Sequence, residues 1–370
     1  MNYLDSDVFK QYLDSDSINN IERKEVFESE DKSKKKVFNN IVRVDATQFK
    51  IALGDIEAIL KKSTMGSAVA FKVANNKLYL RCMNKVFYKA IFEIDGSCVD
   101  CEIVTVYKPI QKTIPDEGTV DIIINPGGVE IKTAISEIAI LPNIAKVVDI
   151  EVENYGYVSF NSNLVLSGLK SLLSTTSVIN KLGTAVNINM KDKFMSCKYA
   201  TTYIECPCDR VNNSITHDMG RILYTFLNSE GACFLTQGVN NQIFKKGDRY
   251  LSLPVTDVPV MSIKGLLKDA ISYGNVHHRG LYDNVKQSVQ SFGTGVGTVD
   301  FYRNGASVFR EAEGCRIKID CGSKDEYLFS ITVNLDFLRD VLNLAGSSYK
   351  LYKKGDYACL ETVEGYTLII

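Results

Sequence analysis

Polar and apolar positions recur along this 370-residue chain in a fixed order. A short run of alternating or β-branched residues leads into a segment with apolar residues three and four apart, and two to four further short runs follow. The first spacing suits a strand and the second suits one face of a helix. In the first unit residues 41–44 read as strand and Asp45 as a helix cap, with Phe49, Leu53, Ile56 and Leu60 as the helix's apolar stripe. Strands are expected at 67–74, 77–83 and 86–94, with a hairpin turn at Asn75-Asn76.

The later units follow the same order. In the second, residues 120–124 form a strand, and 129–141 stand open between a helix, with Ile131, Ala134, Ile135 and Ile138 on one side, and a strand favoured by its isoleucines. The third has strand at 158–160 and a stripe of Leu166, Leu169, Leu172 and Leu173. The fourth places Met219, Ile222, Leu223, Phe226 and Leu227 at i, i+3, i+4, i+7 and i+8. The same spacing at Ile263, Leu266, Leu267, Ala270 and Ile271 predicts a fifth helix. In the sixth, Asn334 caps a helix with Leu335, Leu338, Leu342 and Ala345 inward, and Gly346 ends it before three short closing strands.

One such unit buries little alone, so units are expected to pack in pairs. Three pairs give three domains, 41–156, 157–256 and 257–370, each of about 110 residues and within the usual domain range. Residues 1–40 stand apart as an extension, mixing acidic clusters with the basic run Lys34 to Lys36.

Composition narrows the classes. The 45% apolar share is that of a globular protein, and no apolar run is long enough for a membrane span. The opening MNYLDSDVFK has neither the basic nor the apolar region of a secretory signal. Ten cysteines without a repeated spacing read as reduced thiols of a cytoplasmic protein. A net charge of -1 excludes a wholly basic surface but not one basic face.

Catalytic signals are poor. The run Phe292-Gly-Thr-Gly-Val-Gly-Thr lacks the lysine of a phosphate-binding P-loop, and no helix pattern opens after it, so it reads as a loop. Cys206-Pro207-Cys208, with Cys197 and His217, lacks a zinc-site spacing. His277-His278-Arg279, placed after the fifth helix, reads as an exposed turn or a DNA-facing loop. With three histidines and no evident carboxylate pair, neither an enzyme nor a metal or cofactor is expected.

Two patches resemble a known family. FSITVNLDFLRDVLNLAG, with its run Asp340-Val341-Leu342-Asn343, and the ending ACLETVEGYTLII resemble the last subdomain of the bacterial-type DNA sliding clamp, the beta subunit of replicative DNA polymerase. MSCKYATTYIECP resembles a hairpin strand of its middle domain. The chain departs from the family where Thr202-Tyr203-Ile204 replaces a glycine-histidine-arginine run, in its aliphatic C-terminus and in its N-terminal extension, departures that fit a divergent, viral clamp.

The resemblance implies an α+β DNA-clamp fold, with three similar domains of two β-α-β-β-β units. Two copies would close head to tail into a ring, sheets outside and helices inside, around double-stranded DNA. Such a processivity factor tethers the polymerase without reading sequence. Its helices should then turn Lys and Arg toward phosphates. Candidates are Lys50 and Lys61 on the first helix, Lys170 on the third, Arg221 on the fourth, and Lys264 and Lys268 on the fifth. Any one of them also reads as an ordinary solvated position. The second unit is mixed, Lys132 against Glu130 and Glu137, and the sixth helix disagrees, with Asp336 and Asp340 opposite its apolar face. Polymerase and clamp loader would dock short linear peptides between the middle and last domains. The matching positions are Tyr203 and Ile204, Leu253, Pro254 and Val255, and Tyr366, Leu368, Ile369 and Ile370. Three aliphatics at the chain end predict one on the outer face. The other reading is a viral structural protein or transcription cofactor built on the same units without a ring on DNA.

Overall fold

The computed structural model describes residues 39–61, 67–94, 98–180, 187–191, 194–199, 202–238, 240–255, 267–293, 295–312, 314–363 and 365–370. The first pair of units contains β1 (Asn40–Asp45), α1 (Ala46–Leu60), β2 (Ala68–Ala74), β3 (Lys77–Met83) and β4 (Phe87–Glu93). It continues through β5 (Cys101–Val106), a 3-10 turn (Gln111–Thr113), β6 (Thr119–Asn125), β7 (Gly128–Lys132) and β8 (Glu137–Ile140). The second pair begins with β9 (Val158–Ser159), α2 (Ser162–Asn180), β10 (Asn187–Lys191), β11 (Phe194–Tyr199) and β12 (Thr202–Pro207). Then come β13 (Asn213–Thr216), α3 (His217–Leu227), β14 (Cys233–Gln237), β15 (Asn241–Lys246) and β16 (Arg249–Pro254). The third pair runs β17 (Ile271–His277), α4 (Leu281–Phe292), β18 (Val296–Tyr302), β19 (Gly305–Ala312) and β20 (Cys315–Gly322). It ends with β21 (Tyr327–Asn334), α5 (Leu335–Ala345), β22 (Ser348–Lys354), β23 (Tyr357–Glu361) and β24 (Thr367–Ile369).

The local rules that set these elements are plain. A strand's last residue caps the helix after it. Asp45 accepts from the Gln48 amide, Thr216 from Met219, and Asn334 from Asp336 and Phe337. A short side-chain oxygen in extended backbone satisfies the helix's open amides, so the chain turns from strand to helix without a loop. Asn75 and Asn76, at φ 53° and 56°, form the tight turn joining β2 to β3. Asparagine tolerates this left-handed backbone, whose twist matches the paired strands.

Among the described residues all strand pairs are antiparallel, and they build four sheets. Two eight-stranded sheets cross from one pair of units to the next. In one, β4 pairs with β16, and in the other β12 pairs with β24. Two four-stranded sheets, β1-β6-β7-β8 and β20-β19-β18-β21, stand at the two ends of the repeat. A continuous core runs under the helices from Val42 to Ile370. The connection at 143–157 is pinned on the first eight-stranded sheet. Arg81 of β3, fully buried, reaches Asp149 at 2.9 Å and Glu102 at 2.8 Å, and Lys89 of β4 reaches Glu153 at 2.7 Å.

One open alternative is resolved, and two expectations are corrected. The segment 129–141 is strand, β7 and β8, and the second unit has the 3-10 turn in place of a helix. The fifth helix expected at 263–271 does not extend through 267–271. Residues 256–266 lie outside the described residues, Leu267 to Asp269 turn, and Ile271 opens β17. The helix is α4, whose inward positions are Leu281, Val285, Ser288 and Val289. The buried Ser288 and the polar residues around it hide this stripe from an apolar count. Consequently the His277-His278-Arg279 run precedes the helix. His278 is buried between Tyr349 Oη and the Tyr302 carbonyl, each at 2.7 Å, whereas His277 and Arg279 are exposed. The glycine run follows the helix. Gly293 ends it at φ 73°, and Arg310 donates to the Phe292 and Gly293 carbonyls.

Candidate nucleic-acid interface

Helices of paired units pack on each other: α2 on α3, and α4 on α5. In the first pair α1 has the 3-10 turn beside it, and it also meets α3. The helix surface left open by this packing holds three of the six basic residues predicted to face DNA. Lys170 on α2 and Arg221 on α3 are exposed, as is Lys61 just past the end of α1. Lys268 is exposed but sits in a turn, where its carbonyl accepts from Lys354 at 2.6 Å. Lys264 lies outside the described residues. Lys50 is half-buried, and its Nζ reaches Asp116 at 2.8 Å.

The acidic pair on α5 is not an open acidic face. Asp336 is only 5% exposed. Arg339 joins its carboxylate, at 3.4 Å, to that of Asp340, at 2.9 Å. Burial raises the Asp340 carboxyl above its ordinary range, although Arg339 pulls the other way. Lys132 likewise lies on β7, between Glu130 and Glu137, and on no helix.

The partner positions divide. Tyr203 and Ile204 of β12 pair with Ile369 and Leu368 of β24, so two of the three predicted groups meet at the junction of the second and third pairs. Leu253 and Pro254 belong to β16 in the other eight-stranded sheet. The Pro254 carbonyl accepts from Asn213 of β13, which is separated from β12 by β10 and β11. The exposed chain end is not observed. Leu368 and Ile370 enter the main core, Ile369 packs on the opposite face with Cys359, and all three are buried. Tyr366 is buried as well, its hydroxyl 3.0 Å from Ser167 of α2. Both faces of this strand are covered, so alternation leaves no aliphatic in solvent.

Sequence reasoning missed residues 107–116, which run antiparallel along one stripe of α1. Burial raises the Tyr107 hydroxyl pKa, and the nearby Glu57 charge raises it further. A Cβ added at Gly54 would stand 2.6 Å from Gln111 Nε2. Asp116 takes Lys50, and its carbonyl takes the Thr47 hydroxyl at 2.6 Å. The glycine in the helix was the available signal, since it admits a close neighbour.

The arrangement of six units, four sheets and five described helices has counterparts among solved structures. The chain is similar to the DNA polymerase III subunit beta of Pseudomonas aeruginosa, with a TM-score of 0.70 and 12% identity over 90% of this chain and 99% of that one. The chain has the DNA-clamp fold. The beta subunit of Thermotoga maritima matches with a TM-score of 0.69 at 13% identity, covering 89% of this chain and 98% of that one. The Helicobacter pylori beta clamp in complex with 3,4-difluorobenzamide matches at 0.69 and 12%, over 90% and 99%. No family model and no curated protein matches the sequence. The clamp fold is therefore shared at 12–13% identity. No described helix is long and apolar enough to cross a membrane.

Proposed function

We propose that this chain is a DNA sliding clamp, a non-enzymatic processivity factor that encircles duplex DNA and tethers a replicative polymerase. The match of nearly the whole chain to nearly the whole of bacterial clamp subunits carries this reading. The three pairs of units are its three domains, 41–156, 157–256 and 257–370, and 1–40 is an added arm. Two copies close the ring head to tail. The free edge of β8 at one end of the repeat meets the free edge of β20 at the other. Uncovered strand edges seek partners, and a head-to-tail contact that closes after two copies satisfies both. Exposed aliphatics beside β8 support this choice: Ile135 at 84%, Leu141 at 73% and Ile144 fully open.

Within the ring Lys61, Lys170, Arg221 and Lys268 face phosphates, and polymerase and loader peptides bind where β12 meets β24. Light scattering at micromolar concentration should give a dimer, and the dimer should remain on nicked circular DNA but run off linear DNA. A strict monomer at every concentration would sink the closed ring.

A further inference from the structure

We propose that Lys108 and Lys112, on the segment standing in for the missing helix, bind duplex DNA phosphates in place of Lys50. The inference rests on the clamp reading. In the other two pairs a helix packs beside its sibling, α2 with α3 and α4 with α5. In the first pair the place beside α1 is taken by residues 107–116, aligned along Thr47, Lys50, Gly54 and Glu57. The segment therefore occupies a helix position in the repeat and shares that position's exposure.

Charge decides which cations there are available. The Lys50 ammonium is engaged by Asp116, and its side chain is only one quarter exposed. Lys108 and Lys112 are exposed, and among the described residues neither has an ion-pair partner. Ile110 and Ile114 are buried between and beyond them, which anchors the segment and turns both lysines outward. A clamp needs sequence-blind contacts to phosphate, and two lysines on an anchored turn supply them without a helix.

The test is anisotropy of a labelled 40-base-pair duplex with the full chain, across 25 to 150 mM salt. Lys108→Glu with Lys112→Glu should weaken binding at 25 mM salt by about tenfold. It should also flatten the plot of log affinity against log salt by roughly 2, close to 0.9 per lost contact. Lys50→Gln should leave both unchanged. Circular dichroism and the thermal midpoint should match wild type, since both lysines project from the surface. Wild-type affinity and slope in the double variant would overturn the assignment while leaving the clamp reading intact. Absence of any wild-type binding at 25 mM salt would overturn the phosphate contacts assigned to Lys108 and Lys112, whereas the clamp reading stands or falls on retention on nicked circular DNA.

Discussion

Asp55 lies on the inner side of α1 with 4% of its surface exposed. Arg249 of β16 reaches it at 2.5 Å, and the Tyr88 hydroxyl donates to it at 3.1 Å. Burial raises its pKa from 3.8 to about 6, outweighing the pull of Arg249. The folded pKa therefore exceeds the unfolded one. Stability from this group is fully present below pH 3.8 and is lost as pH rises through about 6. A shift of roughly 2 units corresponds to about 3 kcal/mol. Asp55→Asn should remove that slope. In urea unfolding from pH 4 to 7.5, the stability of wild type relative to the variant should fall by up to about 3 kcal/mol. A difference independent of pH would show that Asp55 titrates normally. Lys246, beside this cluster, donates to the Leu227 and Ser229 carbonyls at the end of α3, so one buried polar group also caps a helix.

At the scale of elements, β24 has the largest effect for its length. It is three residues long yet joins β12 to β23, closing the sheet that ties the second pair of units to the third. Its outer neighbour Ile370 exchanges both backbone bonds with Ala358 at 2.9 Å. Removing Leu368, Ile369 and Ile370 therefore removes a sheet junction and three buried aliphatics. Each such side chain is worth about 1.5–3 kcal/mol when fully buried. A chain truncated after Thr367 should lose at least about 4 kcal/mol and show a thermal midpoint far below wild type. An unchanged midpoint would mean that the end of the chain is not packed. Loss of polymerase stimulation by this truncation would thus report unfolding of the junction, and peptide binding is better probed at Tyr203.

For the whole molecule, the two ends of the repeat differ in a way that suits pairing with each other. One end carries the four-residue β8 among exposed aliphatics, and the other carries the eight-residue β20 with Arg316 and Lys318 exposed. Ile135→Lys with Leu141→Lys should convert the dimer to monomer in light scattering and leave the circular dichroism spectrum unchanged, because both side chains are exposed in the single chain. Persistence of the dimer would put the contact elsewhere.

Local signals, each needing only a few neighbouring residues, located most of the elements. Asp45, Asn334 and Gly346 mark helix ends because capping is a contest among adjacent amides, and Asn75-Asn76 marks a turn because few residues tolerate its backbone. The repeat was legible for the same reason, since each unit restates one pattern. Where long-range packing competes, the chain was ambiguous. Ile263 to Ile271 have helical spacing, yet Ile271 opens a strand, because β22 offers it a partner in the sheet. Ser288 looks like a surface residue but is buried under α4. The acidic α5 and the aliphatic tail were misread because exposure is a property of what covers a residue. Arg339 and burial quiet Asp336 and Asp340, and strands on either side enclose Leu368 to Ile370. Spacing along the chain reports periodicity, whereas the contents of a face depend on segments distant in sequence, as residues 107–116 do for α1.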